Sequence, residues 1–261
     1  MFQASVLASG SKGNSILIRT ECTKILLDAG LSGKKITNFI QSIDLDENKL
    51  DGILISHEHS DHIRGAGIIC RRLNIPLYIT KSTYEVCKNR LGKLPEGFIH
   101  FENGSSFIIG DITIRAFQSS HDVVDGSNFT FMRIGDESRK LSVATDLGYS
   151  SNLMLTIFKE STSIILESNH DVNMLIAGSY PPHLKQRIKS KQGHLSNEQA
   201  VEIIKKVYHP GLRNIILAHL SEENNLPEKA ENLMRNYLNK KDKNVNLIVA
   251  SQYESTMLIN V

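Results

Sequence analysis

Tryptophan is absent from the 261-residue sequence, and phenylalanine and tyrosine bring the aromatic share to only 6%. Cysteine is scarce: Cys22, Cys70 and Cys87 are three, with no CxxC pair. An odd, widely spaced set argues against a disulfide framework or a thiolate zinc site. Each cysteine is therefore expected as a small buried apolar residue in a reducing cytoplasm. No apolar run approaches the roughly 18 residues of a membrane span, and Met1-Phe2-Gln3-Ala4-Ser5-Val6-Leu7 carries no basic leader. Charge of one sign is missing as well, since 30 Lys plus Arg against 28 Asp plus Glu leave a formal net charge of +2. So even a balance neither requires nor excludes a nucleic-acid partner, and any basic footprint must be local. Hydrophobic residues at 40% make the chain too apolar for disorder. At roughly 100–200 residues per domain the length allows one large domain or two small ones. With no Pro/Ser-rich linker, low-complexity tract or internal repeat, a single domain over residues 1–261 is expected.

What is present is a succession of short elements. Alternation and turn residues predict strands at residues 2–8, 14–19 and 23–27, the first two joined by the glycine-permitted turn Ser9-Gly10-Ser11-Lys12-Gly13. A helix at 33–43, a buried strand at 50–56 and a helix at 61–73 follow. Further strands are expected at 112–118, 128–134, 140–144, 163–167, 214–218, 245–250 and 255–259. Helices are expected at 151–159, 196–208 and 227–238. Strand clusters broken by helices along one uninterrupted chain suggest two sheets with helices on their outer faces.

The chemistry lies in the ten histidines. His57-Glu58-His59-Ser60-Asp61-His62 follows directly on the buried strand. Residues two apart on an extended segment point the same way, so His57 and His59 can share one ion. Asp61 and His62, being adjacent, diverge and can face a second ion, and Asp61 sits where a helix N-cap belongs. Glu58 points to the opposite side. Two ions need about seven or eight protein ligands, and three more residues stand at the ends of apolar strands: His121, Asp146 and His219.

This HxHxDH run, with Asp28 ending a strand before it and His121, Asp146 and His219 after it in that order, resembles the metallo-β-lactamase fold. The resemblance implies a four-layer αββα sandwich with a two-metal site in a groove at one edge. It implies that His57, His59 and His121 hold one ion, that Asp61, His62 and His219 hold the other, and that Asp146 bridges them while Asp28 hydrogen-bonds behind. The bridging position is Asp where the zinc β-lactamases have Cys, and His59 stands where the oxygen-reducing di-iron members have Glu. Antibiotic hydrolysis and redox chemistry are therefore disfavoured, and the all-His/Asp set suits Zn²⁺ or Mn²⁺ in hydrolysis.

Two further stretches bear on substrate. In Gly193-His194-Leu195-Ser196-Asn197-Glu198-Gln199-Ala200, Ser196 and Gln199 make a capping box, which puts His194 just ahead of a helix. The block resembles a segment of phosphodiesterases of this fold in which the His protonates the leaving oxygen. Lys185, Arg187, Lys189 and Lys191 lie within seven residues just before it and are candidates for gripping a nucleic-acid backbone. The opening Leu7–Ser15 stretch, Glu167-Ser168-Asn169-His170 and Gly193-His194-Leu195-Ser196 resemble the YycJ/WalJ (VicX-like) group of bacterial members, with Asn169 expected to line the cleft. Asp146 and His219 are 73 positions apart, too close to hold the large inserted clamp of some nucleases of this superfamily. The resemblance implies metal-dependent phosphodiester hydrolysis in which Asp61 takes a proton and His194 gives one. The implied substrate is the ends of double-stranded DNA, trimmed 5′ to 3′, with DNA favoured over RNA as partner. The alternatives are an RNA-processing nuclease, a small-molecule phosphodiesterase, or a regulatory module that binds metal without turnover.

Overall fold

A computed structural model of the chain describes residues 1–43, 46, 49–241 and 244–261. Its first strands, β1 (Phe2–Ala8), β2 (Ser15–Thr20), β3 (Lys24–Leu27), β4 (Gly52–Leu54), β5 (Leu77–Ile79) and β6 (Phe98–His100), lie side by side in chain order. A second sheet repeats the scheme with β7 (Ser106–Ile109), β8 (Ile112–Gln118), β9 (Ser127–Arg133), β10 (Asp136–Ala144), β11 (Ser163–Glu167), β12 (Asn214–Ala218) and β13 (Asn246–Val249). The chain then returns to the first sheet as β14 (Ile259–Asn260), paired with β1. Each sheet begins antiparallel and ends parallel, the change coming at β3 in the first and at β10 in the second. The two halves thus share one topology, a repeat invisible in the residues themselves.

Three apolar interfaces hold four layers together. Val6, Ile18, Leu54, Phe129, Phe131 and Ile216 fill the space between the sheets. The first sheet buries its outer face under α1 (Gly33–Ser42), α3 (Ala66–Leu73) and α4 (Lys81–Leu91), through Ile36, Ile69, Cys70 and Cys87. The second is covered by α5 (Asn152–Phe158), α8 (Asn197–Val207) and α9 (Pro227–Leu238), through Phe158, Ile204 and Met234. Strands β11 and β12 are buried along their whole length, as parallel strands covered on both faces must be. This is the αββα sandwich expected from the sequence. No helix among the described residues is long and apolar enough to cross a membrane.

Several local expectations change. The helix expected at 61–73 is two, α2 (Ser60–Ile63) and α3, broken at Gly65. There the backbone packs against a neighbouring loop: the Gly65 N–H donates to Ala29, and a Cβ would lie 2.3 Å from the Leu31 carbonyl oxygen. His59, not Asp61, takes the N-cap position of α2, and it makes no side-chain capping bond. The strand expected at 255–259 shrinks to β14. Strands β5 to β7 and helices α4, α6 (Val172–Ala177) and α7 (Pro182–Ile188) add to the expected set. Cys22 is exposed in the β2–β3 turn, whereas Cys70 and Cys87 are buried. The capping box of Ser196 and Gln199 forms as read.

One glycine fixes the position of a site residue. A Cβ on Gly30 would lie 1.5 Å from the Asp61 carbonyl oxygen, in a knot where Asn14 N–H donates to Asp61 and Gly30 N–H donates to Asn14. Gly30→Ala is therefore expected to destabilise the fold by about 1–3 kcal/mol and to displace Asp61. Thermal unfolding beside metal affinity checks this, and an unchanged pair of values would refute it.

Candidate metal centre

Strand direction gathers the site. β3, β4, β8, β10, β11 and β12 all end at one edge of the sandwich, and Asp28, the 57–62 run, His121, Asp146, Glu167 and His219 lie at or just beyond those ends. Asp28, Asp146 and His219 adopt left-handed backbone, with φ of 61°, 53° and 55°. Such conformations cost non-glycine residues about 1–3 kcal/mol each and persist where the surroundings enforce them, commonly at functional sites.

The histidines are tethered by one ring nitrogen, Nδ1. His62 Nδ1 lies 2.8 Å from Asp28 Oδ2. Ser56 Oγ, 2.7 Å from that same oxygen, lies 2.9 Å from His57 Nδ1, so one carboxylate orders two rings. His121 Nδ1 is 3.1 Å from the Gln192 carbonyl, and His194 and His219 both present Nδ1 to Glu167 Oε1, at 2.8 and 3.0 Å. Tethers of this kind fix a metal-binding imidazole's tautomer and leave its other nitrogen to face the ion.

The free atoms converge. Single donor atoms of His57, His59 and His121 lie within 4.8 Å of one another, and so do those of His57, His62 and Asp146. Asp146 faces both ways: Oδ2 is 3.2 Å from His62 Nε2, while Oδ1 is 3.7 Å from His121 Nε2 and 3.2 Å from the Nδ1 by which His219 is tethered to Glu167, so it meets that ring on its tethered side. Asp61 Oδ2 stands 3.5 Å from His62 Nε2 and is steadied by Asn14 Nδ2. His57 Nε2 is buried without any hydrogen-bond partner, and Asp146 Oδ2 has none besides the His62 imidazole 3.2 Å away. Two such acceptors amid clustered imidazoles fit divalent cations held by nitrogen and oxygen donors. A further group, Asp146, Glu167, His194 and His219, is equally tight and hydrogen-bonded through Glu167, whereas among the described residues Asp61, His62 and His219, expected to share an ion, do not form one such group.

Burial pushes the His57 imidazole well down, aided by His62. Burial would push His62 down too, but Asp28, Asp146 and Asp61 hold it well above its ordinary value. His219 likewise resists burial because Asp146 and Glu167 raise it to about 9. Glu167, against its own burial, is held down at about 2 by His194 and His219. In the metal-free protein His219, held at about 9, therefore favours its protonated form at neutral pH, His62 is biased the same way, and a proton held there must leave when an ion binds. Metal uptake at pH 7 is expected to release protons, one of them from His219, and affinity to rise with pH up to about 9. Calorimetric titration in buffers of differing ionisation heat measures this, and a proton count of zero would contradict it.

Glu167 is the residue that sequence reading left without a role. It is fully buried, and its Oε2 accepts from the Leu147 and Leu195 N–H groups at 3.0 Å each. An acid closing an apolar strand was the available signal, the same one that marks Asp146. Ser56 and Asn14 were missed as well. Glu58, as expected, turns away: its Oε1 accepts from Val124 N–H and fastens the loop that carries His121.

The four cations of the 185–191 stretch part company. Arg187 pairs with Asp122 at 2.6 Å and lines a cavity of about 210 Å³ with Asn169, His194 and His219. Lys191 lines a larger groove beside His121. Lys185 and Lys189 share a separate outer groove, and the Lys185 ammonium closes the end of α6 by donating to the Ile176 and Gly178 carbonyls at 2.7 Å. Lys185 is thus engaged within the fold and stands apart from the cleft in which it was expected to bind substrate.

The comparisons agree with this frame. The chain is 43% identical over 244 residues to the exodeoxyribonuclease WalJ of Streptococcus pneumoniae, covering 92% of this chain and 90% of that one. It is 40% identical over 228 residues to the exodeoxyribonuclease YycJ of Bacillus anthracis, covering 87% and 85%. Among solved structures, the metallo-β-lactamase fold protein YhfI of Bacillus subtilis superposes over 98% of both chains with a TM-score of 0.72 at 16% identity, a likeness of fold alone. The model of the beta-lactamase superfamily domain matches residues 23–219, so the chain belongs to that superfamily.

Proposed function

We propose that the protein is a metal-dependent phosphodiester hydrolase, an exonuclease that trims double-stranded DNA from its ends in the 5′ to 3′ direction. The observation that carries this reading is the 43% identity to an exodeoxyribonuclease over nearly the full length of both chains. The donor set supports it, since every position that such chemistry needs is filled by His or Asp.

In this reading His57, His59 and His121 hold one ion, Asp61, His62 and His219 the other, and Asp146 stands between them. Bound there, divalent ions of zinc or manganese would supply Lewis acidity and make water nucleophilic at neutral pH. The chain's own groups do the rest. Asp61, partly exposed and steadied by Asn14, is placed to take the proton of the attacking water. His194, its Nδ1 tied to Glu167, presents its other nitrogen to the cavity it shares with Arg187, where it protonates the departing oxygen. Arg187 and Lys191 offset the charge of the phosphates, and Asn169 holds the loop of His219 by donating to its carbonyl at 2.8 Å.

The test is cleavage of one sequence as linear duplex, single strand and RNA, each labelled at either end, with Mn²⁺ or Zn²⁺. Progressive loss of the duplex from its 5′ ends is the expected result. Survival of every polymer while a small chromogenic phosphodiester is cut would leave the chemistry standing and overturn the substrate. No cleavage of anything by the fully loaded protein would favour a regulatory module.

A further inference from the structure

A groove of about 810 Å³ opens beside His121, walled by Ser120, Val123, Tyr149, Leu153, Lys191 and Gln192. Its size suits a small ligand or one unit of a polymer. It shares no wall residue with the smaller cavity that holds His194, Arg187 and His219. Asp146 Oδ1, 3.7 Å from His121 and 3.2 Å from His219, lies between the two. His121, which the proposed function gives to one ion, itself lines this groove, so the groove lies directly beside the candidate centre.

The groove is held open by a rigid seam. Gly148 donates its N–H to the Ser120 carbonyl at 2.8 Å, and a Cβ on it would lie 2.3 Å from the Lys191 carbonyl. Segments 119–121, 146–149 and 190–192 are thereby fastened to one another, and Tyr149 rides on that seam. Tyr149 is 43% exposed and lines both this groove and a cleft against Gln199 and Ile203 of α8. An aromatic side chain kept in water on a fixed backbone, in a groove that also presents apolar Val123 and Leu153 and polar Lys191 and Gln192, offers a face for a base and groups for its backbone.

The geometry points to this groove as the subsite for the nucleotide next to the cleaved phosphodiester, with its base stacked on Tyr149 and its phosphate toward Lys191. This assignment rests on the DNA-cleaving reading above and names how that substrate is gripped. Stacking does not read sequence, so the subsite tolerates any base but requires one.

The experiment pairs a protein change with a substrate change. Tyr149→Ala and Tyr149→Phe are compared with the unaltered protein on duplexes carrying an abasic residue at the first, second or third position from the 5′ end. On intact duplex, Tyr149→Ala is expected to raise KM about tenfold while Tyr149→Phe keeps the original KM. At one abasic position the unaltered protein shows the same rise, and Tyr149→Ala adds nothing to it. A misfolded variant would lose activity on intact and abasic duplexes alike. If Tyr149→Ala leaves KM unchanged, or if its effect and the abasic effect multiply at all three positions, the subsite is wrong while the nuclease stands. If the unaltered protein cuts no DNA, the nuclease reading falls and takes the subsite with it.

Discussion

Asp146→Ala is expected to lose metal and turnover together, the largest effect of any single substitution in this site. The carboxylate presents one oxygen to His62 and the other to His219 and His121, so it contributes to both halves of the centre at once. Carboxylates and imidazoles that merely support a ligand typically affect metal affinity by about 10–100-fold; a shared ligand should exceed the upper end. The fold itself has a way to absorb the loss. Asp146 contributes to the raised values of His62 and His219 beside Asp28, Asp61 and Glu167, so without it both rings shed their protons more readily, and a ring that stays charged still has a carboxylate partner. Asp146→Asn, which keeps the shape and removes the charge, should therefore fold and still bind metal at least about a hundredfold more weakly. Metal content by elemental analysis, measured on the samples used for DNA cleavage, decides the matter. Turnover surviving in a variant shown to be metal-free would end the two-ion scheme.

The proposed metal ligands were candidates from the sequence because their pattern is local. Four of them fall within the six residues 57–62, and the other three each close an apolar strand, where sheet topology gathers side chains. The residues that were not legible act through contacts far away in sequence. Glu167 meets His194 and His219 across 27 and 52 positions, and Gly65 interrupts a helix because of a loop more than thirty residues earlier. The basic run shows the same limit. In a list of residues it is four cations at alternate positions within seven residues. On α7, Lys185 and Lys189 are one turn apart and share an outer face, while Arg187 turns to the cleft. Strands of three or four residues such as β5 and β7 exist because neighbours pair with them, and so short a stretch carries no period to read.

Glu167→Gln should lower kcat by about 10–100-fold with little change in KM, although the residue touches neither the proposed ions nor the substrate. Its four hydrogen bonds all come from donors: two backbone N–H groups on Oε2 and two imidazoles on Oε1. Glutamine fills the same space but can accept at one oxygen only. Either Leu147 and Leu195 lose their acceptor, or His194 and His219 do, and orphaned buried donors cost about 1–3 kcal/mol each. Reduced stability alone could lower activity, so a second readout is needed. Glu167 is ionised at any ordinary pH, being held at about 2, and it helps to raise His219 to about 9. With that charge gone, His219 is less often protonated in the metal-free protein, so fewer protons should leave at pH 7 when metal binds. In the metal-free protein, the stability that Glu167 gains by staying ionised is present above its ordinary 4.5 and is lost as pH falls towards 2. The share from His219 is complete below 6.5 and is lost as pH rises through about 9. Both windows should flatten in Glu167→Gln. A variant that matched the unaltered protein in proton release and in its pH–stability curve, while losing kcat, would assign Glu167 a packing role and leave His194 to be oriented by something else.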